Sequence, residues 1–160
     1  MARGSLLALL SAFVMVSCFS GAALAEPSVR RSTGQELYVP IYSHIYAGNR
    51  NVPLLLTATL SIRNVAPRHS ITVTAVDYYD TRGNLLEEYV ARAVVLGPLQ
   101  SIRYVIPQKD KSGGSGANFL LKWHAAEAVT PPLVESIMIG AEGQQGISFT
   151  SRAVVLAPPD

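Results

Sequence analysis

Residues 54–63 constrain the fold more than any other part of the chain, because their side chains alternate. One face carries Leu54, Leu56, Ala58, Leu60 and Ile62, and the other carries Thr57, Thr59, Ser61 and Arg63. A period of two is typical of a β-strand that buries one face. A polar turn at residues 64–70 and a second alternating run from Ile71 predict a β-hairpin over residues 54–80.

Similar short runs of β-branched and aromatic residues continue along the chain, separated by glycine- and proline-rich turns. Seven to nine strands at this spacing predict an all-β fold, a single immunoglobulin-like antiparallel β-sandwich over residues 37–156. A flexible leader is expected at residues 26–36 and a frayed tail at residues 157–160. Pro40 lacks a backbone N–H, so residues 37–46 are predicted to form an edge strand. The last strand is predicted to run from Ile147 to Leu156.

The first 25 residues have the pattern of a secretory signal peptide. Arg3 precedes an apolar run over residues 6–16, and Ala23 and Ala25 supply small residues before a cleavage point at Glu26. The expected location is therefore periplasmic or secreted. Cys18 follows Ser17 and gives the alternative of a lipoprotein anchored at that cysteine.

Composition excludes several classes of function. Cys18 is the single cysteine, so a chain cleaved after Ala25 can form no disulfide and no thiolate metal site. The formal charge of +2 falls to +1 without Arg3, which gives no electrostatic basis for nucleic-acid binding. Residues 26–160 hold no second apolar run of transmembrane length, and no cofactor is predicted.

Four segments resemble an uncharacterised family of bacterial secreted proteins, known only as a domain of unknown function, number 3124. They are residues 38–46, 60–64, 110–119, and 135–140 together with 144–152. The resemblance implies an exported small β-protein and brings no activity with it. Residues 64–83 are more loosely similar to immunoglobulin-like modules of bacterial envelope and desiccation-associated proteins, which supports the fold alone.

A glycine-rich loop at residues 111–118 is one candidate binding site. Its members are Lys111, Ser112, Gly113, Gly114 and Asn118. Successive glycines allow backbone N–H groups to converge on an anion, and Lys111 adds charge. The loop lacks the Gly-Lys-Ser/Thr sequence of a phosphate-binding P-loop. The alternative interpretation is a hairpin loop in which glycine supplies the turn angles.

Histidines and carboxylates give weaker signals. His44, His69 and His124 do not share a metal-ligand spacing, so they are interpreted as separate surface residues. Asp77, Asp80, Glu87 and Glu88 are interpreted as solvated charge rather than an acid–base pair. A bulge near Ala75 is expected to turn Asp77 outward. No catalytic residue is predicted.

The polar strand over residues 144–152 is the best surface candidate. If Ile147 and Phe149 face the core, the opposite face presents Ser148, Thr150 and Arg152, and the arginine is suited to a carboxylate or phosphate. Tyrosines at positions 42, 46, 78 and 79 form either an aromatic binding surface or part of the core. The full set of candidate binding residues adds Tyr42, His44, Glu135, Gln144 and Gln145 to this strand and to the glycine loop.

Two functions follow from these patterns, with a hydrolase of unfamiliar type as a weaker third. The first is a non-catalytic interaction module of the cell envelope that binds another exported protein by a face or an edge strand. The alternative is a periplasmic protein that binds a small anionic ligand or a transition metal. A pocket joining Lys111, Asn118, Glu135 and Arg152 would favour the alternative, and a flat face or an exposed edge would favour the first.

Overall fold

A computed structural model describes residues 30–46, 51–142 and 145–157, which form strands and contain no helix. No helix capable of crossing a membrane is therefore found among these residues. The all-β prediction is confirmed. The predicted signal peptide and Cys18 lie outside the described residues.

Twelve strands are present in the described part of the chain, more than the seven to nine predicted, because several are only three or four residues long. They are β1 (Ser32–Pro40), β2 (His44–Tyr46), β3 (Pro53–Leu55), β4 (Thr57–Arg63), β5 (Ile71–Tyr79), β6 (Leu85–Glu88), β7 (Val94–Leu96), β8 (Ser101–Ile106), β9 (Asn118–Val129), β10 (Leu133–Glu142), β11 (Gln145–Arg152) and β12 (Val154–Ala157).

The strands form two main antiparallel sheets. The six-stranded sheet has the order β12-β1-β9-β5-β6, with β7 paired to β5 beside β6, and the four-stranded sheet has the order β11-β10-β4-β8. β2 and β3 form a separate two-stranded ribbon. All of these pairings are antiparallel.

The core lies between the inner faces of the two sheets, where alternate residues of each strand meet. The six-stranded sheet contributes Leu37, Val39, Val73, Val76, Tyr78, Phe119, Leu121 and Trp123, and the four-stranded sheet contributes Ala58, Leu60, Ile62, Ile106, Val134 and Met138. The predicted alternation is thus confirmed in β4. Ser136 on β10 is also buried, and its hydroxyl donates to the carbonyl of Pro40 on β1 at 2.5 Å, which links the sheets.

β4 and β5 do not form the predicted hairpin. β4 pairs with β10 and β8, whereas β5 pairs with β9, β6 and β7, so residues 64–70 carry the chain from one sheet to the other. Both strands have one apolar face, and those faces meet across the core instead of lying side by side. Periodicity specified the buried faces but left the pairing partners open.

The connection between the two sheets, residues 64–70, is held in place by Asn64, which is buried. Its side-chain amide donates to the carbonyls of His69 at 2.8 Å, Leu96 at 3.1 Å and Gly97 at 2.9 Å, and its Oδ1 accepts from the Ala66 N–H at 3.0 Å. One side chain therefore fixes two separate loops at this end of the sandwich.

The prediction that residues 37–46 form an edge strand is wrong. β1 lies between β9 and β12 and begins at Ser32, so residues 32–36 of the expected leader belong to the sheet. Pro40 is the last residue of β1, where its missing N–H is harmless. The chain then turns, and β2 pairs with β3 instead.

The predicted last strand is divided at Ala153. β11 is an outer strand of the four-stranded sheet, and β12 is the end strand of the six-stranded sheet. The Ala153 N–H donates to the Val134 carbonyl at 3.1 Å, which anchors the crossing point. One continuous apolar run in the sequence therefore contributes one strand to each of the two sheets.

A bulge in β5 is present as expected, with a register shift between Val73 and Ala75 opposite β9. Asp77 consequently lies on the outer side of the six-stranded sheet, partly exposed and directly opposite Glu88 of β6. Burial raises the pKa of Asp77, and the Glu88 carboxylate raises it further, while Lys122 opposes both effects.

Candidate functional site

The glycine-rich loop packs tightly against the β5–β6 turn. The Thr81 N–H and hydroxyl both donate to the Gly113 carbonyl at 2.9 Å, and the Gly116 N–H donates to the Thr81 hydroxyl at 3.0 Å. Gly114 has a φ of +82° and its carbonyl accepts from the Ser43 N–H and hydroxyl, each at 3.1 Å. These bonds give the loop a structural role.

Gly113 is required by a close approach to Tyr78. A β-carbon at position 113 would overlap the Tyr78 hydroxyl and lie 2.7 Å from Cζ of that ring. The hydroxyl is buried and has no hydrogen-bond partner among the described residues, although the Gly113 backbone lies close to it. Burial raises the pKa of Tyr78 to about 12, with a smaller contribution from the Asp110 carboxylate.

The geometry of this loop gives little support to anion binding, because N–H groups of the loop are already bonded within the protein. The Ser112 N–H and hydroxyl donate to the Asp110 carboxylate at 2.9 and 2.6 Å, and the Gly116 N–H is used by Thr81. Lys111 and Ser112 are exposed. The Asp110 carboxylate next to the loop opposes a second negative charge, so the anion site stays a prediction.

Tyr42 and His44 occupy different local environments. The Tyr42 ring meets Phe149 edge to face with 5.6 Å between ring centroids. His44 Nδ1 lies 3.1 Å from the Ser43 hydroxyl, and its Nε2 lies 3.2 Å from the Tyr46 hydroxyl. Both side chains are half-buried and help to fix β2 and β11.

The histidines do not converge. His69 Nδ1 lies 2.7 Å from a Glu127 carboxylate oxygen at the surface, and His124 is an exposed residue of β9. No group of three histidine, cysteine or carboxylate side chains able to hold a metal is found within the described ranges.

The outer side of the four-stranded sheet gathers several of the predicted binding residues. We call it the small-sheet face, and it consists of Thr57, Thr59, Ser61, Arg103, Val105, Glu135, Ile137, Ile139, Ser148, Thr150 and Arg152. Directly opposed residues of antiparallel strands point to the same side, so the strand register orders these side chains into rows.

Three rows cross the small-sheet face. A charged row consists of Arg152, Glu135, Ser61 and Arg103. The next row consists of Thr150, Ile137, Thr59 and Val105, and the third of Ser148, Ile139 and Thr57. An apolar strip of β10, Ile137 and Ile139, thus runs between hydroxyl-bearing strands and leads to Glu135, which lies opposite Arg152.

Two aliphatic side chains of the small-sheet face are exposed to solvent. Ile139 is 56% exposed and Val105 is 45% exposed. Four strands at ~4.8 Å spacing and three rows ~6.8 Å apart span about 14 Å by about 14 Å between Cα positions. This area of roughly 200 Å² is the size of the centre of a protein interface, which buries about 800 Å² per partner in all.

The structure separates the predicted residues into two groups. Glu135, Ser148, Thr150 and Arg152 share the small-sheet face. Asn118 lies in β9 of the other sheet, opposite Pro40 and Tyr79, and the loop that precedes it bonds through Gly113 and Gly114 to Thr81 and Ser43. The four residues proposed to form one pocket therefore lie on opposite sides of the sandwich.

Two predicted binding residues of the polar strand, Gln144 and Gln145, are not assigned to the small-sheet face. Gln144 lies outside the described residues, and Gln145 is placed only as the first residue of β11, in register with Glu142. Ile137, Ile139, Arg103 and Val105 were not predicted. The outward alternation of residues 135, 137 and 139 was the available signal, but the intervening Met138 hid it within an apolar run.

A second feature missed from the sequence is Leu99, which has a φ of 59° and is 70% exposed. It occupies the third position of a turn closed by a bond from the Gln100 N–H to the Gly97 carbonyl at 3.1 Å. Glycine or asparagine is the usual residue there. The Asn64 amide holds the Gly97 carbonyl and so maintains this conformation.

Comparison with known proteins gives a family but no activity. The family model described as "Protein of unknown function (DUF3124)" matches residues 34–156. No curated protein matches the chain. A crystal structure of Thermotoga maritima 1070 is similar over 75% of this chain and 92% of that chain, with 11% sequence identity and a TM-score of 0.44.

Proposed function

This chain belongs to the DUF3124 family of proteins of unknown function, and from its surface we propose that it is a non-catalytic binding module of the cell envelope. The small-sheet face is the proposed binding surface, and its occupant is another exported protein. The signal-peptide pattern of residues 1–25 supports the envelope location.

One observation carries this proposal, which is the exposure of Ile139 and Val105 on a regular sheet surface beside Arg152 and Arg103. Exposed aliphatic groups are stabilised when a partner removes them from water. Arginine is enriched in interfaces because its planar fork binds carboxylates in a defined orientation.

The charged row of the small-sheet face indicates what kind of partner surface would be complementary to it. The charged row holds two arginines and one glutamate, so its formal charge is +1. A complementary surface has an aliphatic patch bordered by a carboxylate that reaches Arg152 or Arg103. Such rim charges contribute mainly to orientation and association rate, while the aliphatic centre supplies affinity.

Site-specific photo-crosslinking in the exporting bacterium tests the proposal. A photoreactive residue replaces Thr150 on the small-sheet face, and the matched control replaces Thr74, an exposed threonine of β5 on the other sheet. We expect one discrete adduct from position 150, none from position 74, and loss of the adduct when Ile139→Asp is added.

Thermal unfolding of the purified variant shows whether Ile139→Asp retains the fold, and Val105→Asp repeats the test at a second position. Equal labelling from positions 150 and 74, or an adduct that survives both aspartate substitutions, would contradict the proposal. Fractionation of the same cells tests location, since retention in the cytosol would exclude an envelope role.

A further inference from the structure

Arg63, the last residue of β4, lies one row beyond the small-sheet face and on the same outer side of the sheet. It is exposed, and it pairs in register with Ser101 of β8 and Leu133 of β10. Arg103 of β8 lies directly opposite Ser61, two residues before Arg63. Arg63 and Arg103 are therefore diagonal neighbours about 7–8 Å apart, which is within reach of two long side chains.

The guanidinium group of Arg63 is turned back toward the row that holds Arg103. Its Nε donates to the Ser61 hydroxyl at 3.1 Å. Ser61 is only 7% exposed although it lies on the outer side of the sheet, which shows that neighbouring side chains cover it. The bond uses one N–H of the guanidinium group and leaves its terminal Nη groups to bind an acceptor. Two arginines thus share this end of the sheet.

The charge of these two arginines is not neutralised by the described part of the protein. No carboxylate of the described residues lies within 4.0 Å of either guanidinium group. Glu135 is the one acidic residue of the small-sheet face, and it lies in register between Ser61 and Arg152. The formal charges of Glu135 and Arg152 sum to zero, so Arg63 and Arg103 keep a formal charge of +2.

We propose that Arg63 and Arg103 form a binding site for a phosphomonoester group. Neighbouring cations repel one another, and a ligand with two negative charges relieves that repulsion. A phosphomonoester carries about −1.5 to −2 charges at pH 7 and has three acceptor oxygens, whereas a carboxylate carries one charge. Each guanidinium fork can bind two phosphate oxygens in parallel. The phosphate group therefore satisfies both arginines, and a carboxylate satisfies one.

This site is separate from the aliphatic residues that carry the proposed function. Ile139 lies three rows from Arg63 along β10 and β4, a distance of about 20 Å along the strands. A phosphate group held by the two arginines leaves Ile139 uncovered, so the inference does not depend on the protein partner. The phosphate group belongs to a soluble ester or to a lipid headgroup, because both present the same oxygens to the site.

NMR titration of the purified protein with phenyl phosphate tests this proposal, and benzoate is the matched probe with the same ring on a carboxylate. We expect the Nε–H signal of Arg63 and the amide signals of β4 and β8 to shift with phenyl phosphate. The expected Kd is about 1 mM, and that for benzoate is about tenfold higher or more.

Substitution of either arginine should weaken the binding of phenyl phosphate. Arg63→Gln and Arg103→Gln should each raise the Kd about tenfold or more, because each removes charge-assisted hydrogen bonds to the phosphate. Arg82→Gln is the matched control, since it removes the same charge from the exposed turn between β5 and β6. It should bind phenyl phosphate like the wild type.

Circular dichroism shows whether each variant is folded, and Arg63→Lys, which keeps the charge but loses the fork, replaces Arg63→Gln if the latter is not. Co-sedimentation with phosphatidylcholine vesicles, with and without phosphatidic acid, distinguishes the two sources. Sedimentation that requires phosphatidic acid and Arg63 assigns the site to a lipid headgroup, and protein that stays in solution assigns it to a soluble ester. Equal affinity for benzoate, no saturable binding of phenyl phosphate, or unchanged binding in both arginine variants would overturn the proposal.

Discussion

The side-chain nitrogen of Asn64 lies 2.9 Å from the backbone oxygen of Gly97, thirty-three residues away in sequence. Asn64→Ala leaves the carbonyls of His69 and Leu96 and the Ala66 N–H without their partner as well. Buried unsatisfied groups are costly, so we expect a loss of about 3 kcal/mol in the free energy of unfolding.

Urea unfolding measures this loss, and Asn84→Ala is the control. Asn84 also bonds through its side chain, to Asp80 at 2.9 Å, but at an exposed turn, so its loss should be below about 1 kcal/mol. Similar effects of the two substitutions would show that Asn64 does not hold the loops.

Leu99 should be replaceable with a gain in stability. A left-handed backbone costs an ordinary side chain about 1–2 kcal/mol, whereas asparagine tolerates it. Leu99→Asn is therefore expected to stabilise the protein by about 1 kcal/mol and to raise the melting temperature by about 2–6 °C. Leu99→Ala lacks the short polar side chain that lets asparagine hydrogen-bond locally in this conformation, so it should give no gain. Equal melting temperatures for both variants would contradict this explanation.

Gly113→Ala should be among the most destabilising glycine substitutions. The added methyl group would overlap the hydroxyl of Tyr78 and approach the β-carbon of Ala117 at 2.8 Å. Tyr78 is fully buried and cannot move aside, so we expect a cost of about 3 kcal/mol or more. Gly146→Ala is the control, because nothing lies within 4 Å of its added methyl group.

Tyr78→Phe should relieve part of that cost. The substitution removes the overlapping oxygen, and it also removes a buried hydroxyl that lacks a partner. Alone it should be neutral or stabilise by up to about 1 kcal/mol. A double-mutant cycle with Gly113→Ala measures the coupling, and additive effects would show that the hydroxyl is not the obstacle.

Alkaline pH should destabilise the protein through its buried tyrosines. The pKa of Tyr78 is about 12 in the folded chain against 10.0 for the free group. Below pH 10 both states keep the proton. Between about pH 10 and 12 the unfolded state loses it first, so about 2–3 kcal/mol of stability disappears over this range.

Burial also raises the pKa of Tyr89 and of Tyr104, so these groups add to the same loss. Urea unfolding at several pH values measures it, and Tyr78→Phe should flatten the dependence between pH 10 and 12. An unchanged pH profile in this variant would exclude Tyr78 as a source.

The opposed carboxylates of Asp77 and Glu88 predict a smaller effect on the free energy of unfolding. This effect changes at acidic pH, whereas that of the tyrosines changes at alkaline pH. Glu88→Gln removes the repulsion and should stabilise the protein at pH 7 by a few tenths of a kcal/mol, because exposed charges are screened. The raised pKa of Asp77 means that the gain should vanish below about pH 4, where Asp77 is protonated in both states. A gain that persists at pH 3 would have another cause.

The sequence predicted the layers of the fold better than their connections. Alternation in β4 correctly identified the buried side of Ala58, Leu60 and Ile62. It could not show that β4 pairs with β10 and β8 rather than with β5, because side-chain period reports a face and not a neighbour. The division at Ala153 was hidden for the same reason, since β11 and β12 belong to different sheets without a break in apolar character.

The candidate surface was predicted only along one strand. Ser148, Thr150 and Arg152 share an exposed side as expected, but the Ile137 and Arg103 beside them are brought there by β10 and β8. Asn64 gave no periodic signal, because its role depends on carbonyls that are distant in sequence. Its position at a strand end, before Val65 and Ala66, was compatible with a simple turn.

The position of β1 has a consequence for how the protein acquires its shape. Its first neighbours along the sheet are β9 and β12, which are encoded in the last third of the chain. Pairings of such long range are slow to form, because a large loop must close before any of them is gained. A nascent polypeptide therefore cannot complete either main sheet until synthesis is nearly finished, so the two layers of the sandwich assemble only after most of the chain has been made.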